Sequence, residues 1–171
     1  DYWLYRKHAE MFALAGVDAI FFDYSNQGLN FPGAVDAIVA AFRDAKKDGV
    51  DVPGITGMLS LGDNPDINIR ALQEIYLHCF VKEDYSDVWF HMDGKPLLYS
   101  GSKMSVNTKD PDEVALTNEI KEFFTYAGQS ARNRYDQPDG WMWLENYPQV
   151  KRKPNEETGR IGYVVVGTGI N

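Results

Sequence analysis

The sequence predicts an α/β fold, a parallel (β/α) barrel of the TIM type present as a partial barrel or fragment, and three observations lead there. Helical and strand-like segments alternate along most of the chain. The strand-like segments are unbroken apolar runs, as in sheets covered on both faces, and do not alternate polar with apolar. At 171 residues the chain is several strand–helix units short of the about 250 residues of a complete eight-fold barrel. It begins at Asp1, already inside a helix-like pattern and without a Met, and so reads as a piece of something longer.

Residues 2–15 carry Leu4, His8, Met11 and Ala15 at helical spacing, and Gly16 ends the run. Residues 18–24 (DAIFFDY) have strand length. Pro32 and Gly33 open a second helix with Val35, Ile38, Val39 and Phe42 on one face and Gly49 as its stop. Residues 53–61 form the next strand. Asn64 followed by Pro65 opens a third helix, whose stripe is Ile69, Leu72, Tyr76, Cys79 and Phe80. Residues 88–92, the turn Asp93-Gly94-Lys95-Pro96 and residues 97–99 read as a hairpin. Asp110-Pro111-Asp112-Glu113 combines a capping Asp, Pro at the first helical position and acids in the first turn. Leu116, Ile120, Phe123, Phe124 and Ala127 extend that helix to Gly128. Residues 141–144 and 163–166 are two more strands, and 149–160 is an exposed loop in a single domain spanning 1–171.

Composition narrows the function classes. The apolar fraction of 44% is that of a globular domain. A net charge of −8 argues against nucleic acid and anionic membranes as partners, and Lys151-Arg152-Lys153 reads as a solvated run. No apolar stretch approaches the ~20 residues of a membrane helix, so no membrane insertion is expected. Cys79 has no internal disulfide partner and reads as packing. Three scattered histidines give no zinc spacing, so no metal and no organic cofactor are expected. His8 reads as packed or half-exposed, His78 as lacking a partner at ligand spacing, and His91 as structural, with a cleft position as its alternative.

Ligands of parallel β/α folds bind where the strands end at their carboxyl side, so the informative residues follow each apolar run. Glu145 closes the strand that carries Trp141 and Trp143 on its own face. A carboxyl beside two indoles is desolvated and its pKa rises, which suits a general acid; a loop cap or an ion pair is the plain alternative. Asp23 ends an otherwise apolar strand and must reach a cleft or be hydrogen-bonded, with an Asx-type turn as its plain alternative. Tyr24, Asn26, Trp143, Asn146 and Tyr147 are the expected substrate contacts around these two acids. Gly167-Thr168-Gly169 would be a phosphate cradle in a competing reading as a β/α enzyme acting on a phosphorylated metabolite.

Three segments carry a family resemblance: RKHAEMFALAGVDAIFFDYSN from Arg6 to Asn26, DGKPLLY from Asp93 to Tyr99, and WMWLENYPQ from Trp141 to Gln149. They resemble TIM-barrel glycoside hydrolases of carbohydrate-degrading bacteria, of the family 71 and family 99 type. The resemblance implies cleavage of glycosidic bonds in a polysaccharide or glycan, with Glu145 and Asp23 as catalytic carboxylates. It also implies a carbohydrate partner and a secreted or periplasmic location. A non-catalytic carbohydrate-binding barrel is the other reading on the same residues.

Overall fold

The computed structural model describes residues 1–25, 31–59, 65–100, 108–131, 141–143 and 159. Its elements run α1 (Tyr2–Leu14), β1 (Ala19–Asp23), α2 (Pro32–Lys47), β2 (Gly54–Met58), α3 (Pro65–Ile75) and a π-helical segment (Tyr76–Lys82). They continue with β3 (His91–Met92), β4 (Lys95–Ser100), α4 (Pro111–Phe123), β5 (Thr125–Ala131) and β6 (Trp141–Trp143). β1, β2, β4, β5 and β6 form one parallel sheet in that order, and β3 pairs antiparallel with β4. Among the described residues the sheet is open, with β1 and β6 at its edges. Among the described strands of this parallel sheet, the order follows the chain without reversal. No helix among these residues is long and apolar enough to cross a membrane.

The helix starts follow local chemistry. Pro111 stands in the first turn of α4, and the Asp110 carboxylate accepts from Asp112 N at 2.9 Å, which satisfies a donor the helix itself cannot use. The hairpin turns at Asp93 and Gly94, both left-handed (φ 54° and 78°), the pairing that lets a two-residue turn match strand twist.

Two sequence expectations change. The buried side of α1 is Ala9, with Phe12 packed beside it, whereas Leu4 and Met11 are 51% and 53% exposed. The expected stripe therefore lies on the outer face. Tyr2 and Arg6 fix the rotation by binding Asp44 (2.7 Å) and Asp48 (2.8 Å) of and just after α2. The helix expected to reach Gly128 stops at Phe123, and β5 begins at Thr125. Phe124 is extended (φ −98°, ψ 154°) and 3% exposed, so this aromatic and β-branched run feeds a strand, the state such side chains favour.

The main core lies between the sheet and its helices. Val35, Val39 and Phe42 of α2 meet Ile55 and Leu98 of the strands and Leu59 just after β2, and Leu72 and Ile75 of α3 close it with Cys79 of the π-helical segment. Cys79 is fully buried, as expected of a packing residue, and burial pushes its thiol up to about 12, reinforced by the nearby Asp36 charge. An aromatic cluster sits beneath the π-helical segment. Phe80 stands 4.9 Å from Trp89, 5.0 Å from Phe123 and 5.3 Å from Phe124, at the tilted and edge-on angles that rings prefer.

Candidate functional site

The carboxyl-side rim of the sheet is built by register. Asp23 pairs with Met58, Met58 with Tyr99, and Tyr99 with Ala127, forming one row across four strands. Paired residues of neighbouring strands face the same side, so the row shares one face. One pleat back on that face Phe21 pairs with Thr56, and Leu97 with Thr125. Met58, Leu97, Tyr99 and Ala127 form a second buried cluster with Phe90, separate from the helix-side core. Asp23 therefore projects on the face opposite the helices. It is exposed, and its carboxylate accepts from Ser25 N at 2.8 Å, the Asx-type turn weighed as its alternative role. Phe21 is 40% exposed and its ring meets that of Tyr99 at 5.3 Å, nearly edge-on. A carboxylate beside an aromatic pair at a strand-end rim is thus present.

Tyr24 faces the other way. It is 2% exposed, packs in the helix-side core, and donates its backbone N–H to Met58 O at 2.9 Å. The substrate-contact role assigned to it gives way to packing, because side chains alternate along the strand and Ala19, Phe21 and Asp23 take the open face. Its hydroxyl is buried with no hydrogen-bond partner among the described residues, and burial raises its pKa. Removing that hydroxyl in Tyr24→Phe is expected to leave stability unchanged or raise it by up to about 1 kcal/mol, because an unpaired buried polar group is lost. Urea denaturation midpoints check this; a clear drop would reveal a partner for the hydroxyl.

Trp143 lies in β6 opposite Ala131 in the register, four residues beyond Ala127 on β5. Asn26, Glu145, Asn146, Tyr147, Lys151-Arg152-Lys153, the 149–160 loop, residues 163–166 and Gly167-Thr168-Gly169 lie outside the described residues. His8 is half-buried against Phe12 (6.1 Å between rings), as expected. His91 pairs with Pro96 at the start of β4, the end of the sheet away from the rim, and its Nδ1 lies 2.8 Å from Trp89 O. It takes the structural role.

A second polar cluster was not foreseen. His78, read as partnerless, places Nε2 2.7 Å from Asp36 Oδ1 on α2, and the Tyr85 hydroxyl donates to the same carboxylate oxygen. Burial opposes charge on Asp36, but hydrogen bonds from Tyr85 and His78 outweigh it and hold the carboxyl below its ordinary value. The π-helical turn matters locally. Glu83 N donates to His78 O at 3.0 Å, an i to i+5 bond, which sets Glu83 close to His78.

Arg43 of α2 secures the loop that carries Tyr85. Its guanidinium binds Asp87 Oδ1 at 2.5 Å through one nitrogen and, through Nε, the two oxygens of Asp87 at 3.0 and 3.1 Å. It also donates to Asp84 O and lies 5.7 Å from the centroid of the Tyr85 ring. Hydrogen bonding to Arg43 outweighs partial burial and holds the Asp87 carboxyl below the usual range. A carboxyl lowered on folding contributes stability that is complete above its unfolded value of about 3.9 and lost as pH falls through the folded value. Asp87→Asn is therefore expected to flatten the loss of stability on acidification below about pH 4, while lowering stability near neutrality by under ~1 kcal/mol at this half-exposed pair. Urea midpoints across the acid range, wild type against variant, make the comparison.

Comparison of the chain with known protein families, with curated proteins and with solved structures finds no match. What the structure establishes is an α/β protein that has, among the described residues, a parallel sheet of five strands together with four α-helices.

Proposed function

We propose that the chain is the parallel core of a (β/α)-barrel glycoside hydrolase, with Asp23 as one working carboxylate and Glu145 as the other. The observation that carries the reading is the position of Asp23. It is exposed at the carboxyl ends of the strands, on the face opposite the described helices, in register with Met58 and Tyr99 and beside the Phe21–Tyr99 ring pair. Ring faces suit the C–H surfaces of sugars, and a paired acid at such a rim is the working element of most glycosidases. Strand order supports the barrel, because a singly wound sheet adds each strand beside the last, while a doubly wound one reverses. Trp143, Asn26, Asn146 and Tyr147 complete the substrate contacts in this proposal, with Tyr24 as support behind the rim.

The Asp23–Ser25 hydrogen bond favours a second reading, a carbohydrate-binding barrel without turnover, in which Asp23 only shapes a turn. Digestion of a panel of polysaccharides, followed by reducing-end release, tests the two. Release of new reducing ends is the expected result. Retention of sugars on the protein without release would give the binding reading precedence, and neither would remove both.

A further inference from the structure

We infer that Asp36, His78 and Glu83 form a mononuclear site for a divalent transition metal of the zinc class, apart from the rim where sugars are proposed to bind. The three side chains each offer one ligand atom, and these atoms lie within 4.8 Å of one another; they are the one such trio among the described residues. Ligands around a tetrahedral zinc at about 2.0–2.1 Å stand roughly 3.3 Å apart, so the trio closes on an ion through side-chain adjustments alone. The Asp36–His78 contact of 2.7 Å opens slightly as the ion takes both atoms. His78 then gives its Nε2 lone pair, with the ring proton carried on Nδ1.

Two features of the surroundings belong to metal sites. Tyr85 donates to Asp36, the kind of outer hydrogen bond that orients a ligating carboxylate. Arg43 holds Asp87 and Asp84 O, which fixes the loop of Tyr85. All three ligands are half-buried. A groove of about 280 Å³ lined by Asp36, Arg43, Lys47, Glu83 and Tyr85 borders two of the three ligands, a route by which an ion could enter. The donor set of one imidazole and two carboxylates suits zinc or manganese better than a thiolate-seeking ion. The competing partner is Lys82, whose Nζ lies 2.7 Å from Glu83; that lysine is 67% exposed, and such surface pairs are weak.

Why did the sequence hide it? Asp36 is 42 positions from His78, and the π-helical turn changes the ordinary i+4 reading to i+5.

Titration of the whole chain with zinc chloride, by calorimetry and by cobalt substitution read in the visible spectrum, tests the site. One ion per chain is expected, with tetrahedral cobalt bands. His78→Ala and Glu83→Gln are each expected to weaken binding at least about 100-fold, and Tyr85→Phe about 10-fold, within the range for an outer-shell partner. Glu83→Gln is a mild change at a half-exposed side chain, and circular dichroism confirms that each variant is folded. Absence of stoichiometric binding at millimolar zinc overturns the site, as does equal affinity in folded Glu83→Gln. In either case Asp36, His78 and Tyr85 form only an internal hydrogen-bond network, with Glu83 paired to Lys82. Sugar cleavage unaffected by chelator leaves the rim reading intact while binding data alone decide the metal.

Discussion

Gly57→Ala is expected to destabilise the fold by about 1–3 kcal/mol, the range for forcing extra volume into a packed core. An alanine Cβ at this position of β2 would stand 2.9 and 3.0 Å from two atoms of the Tyr24 ring and 3.2 Å from a Leu98 methyl. Real Cβ atoms essentially never come within 3.0 Å of another heavy atom, so the first contact forces something to shift. Neither neighbour has room to yield, because Tyr24 is 2% exposed and Leu98 fully buried, and the Tyr24 backbone is tied to Met58 O. Strand propensity alone would favour alanine over glycine, so sterics decide the sign. Urea denaturation of Gly57→Ala, Tyr24→Ala and the double variant separates the two effects. The double variant should be markedly less unstable than the sum of the singles, since removing the ring vacates the space the new methyl needs. An unchanged midpoint in Gly57→Ala would mean that the ring does not lie over β2.

The same packing explains which parts of the molecule could be read from residues in order. Helix faces with one dominant contact were legible. α2 buries Val35, Val39 and Phe42, and the third helix buries Ile69, Leu72 and Cys79, all anticipated from spacing. α1 was not, because it is apolar on two sides. Trp3, Leu4, Met11 and Leu14 offer a stripe as periodic as the inner one, and only the ties to Asp44 and Asp48 select between them. Phe124 and Ala127 were placed on a helix because their spacing from Ile120 fits one, as it does for Phe123, which is helical. The sheet edge at β4, absent from any local pattern, draws Thr125–Ala131 into a strand instead. For the rim, the end of an apolar run located Asp23, and only the strand register gave its face. The same reading gave Tyr24 the wrong neighbour, since adjacent strand residues face opposite ways and a tyrosine at a strand end is judged by chemistry before direction. The Asp36–His78–Tyr85 cluster needed two segments 42 or more positions apart to meet, which periodicity does not encode.

Asp23→Asn is expected to lower polysaccharide cleavage by about 10²- to 10⁴-fold, the usual worth of a positioned acid or base, or roughly 3–5 kcal/mol of barrier. The substitution is informative because of the turn. Asparagine keeps an oxygen to accept from Ser25 N, so the local geometry survives while the charge and the proton are lost. Stability should stay within about 0.5 kcal/mol of wild type. Asp23→Ala removes the acceptor as well and adds a stability loss of roughly 0.5–1.5 kcal/mol, which identifies the turn contribution separately. Glu145→Gln is expected to fall by a similar factor, and the double variant by little more than either single, as for residues acting in one step. Initial rates of reducing-end release, with binding of the same polysaccharide measured alongside, give the decisive contrast. Cleavage that persists in Asp23→Asn, at wild-type rates and in a folded protein, leaves this carboxylate as a turn former and moves the chemistry elsewhere. A separation of about 5–5.5 Å between the two carboxyls in a sugar complex would then assign a retaining outcome, and about 6.5–9.5 Å an inverting one, to whichever pair the variants identify.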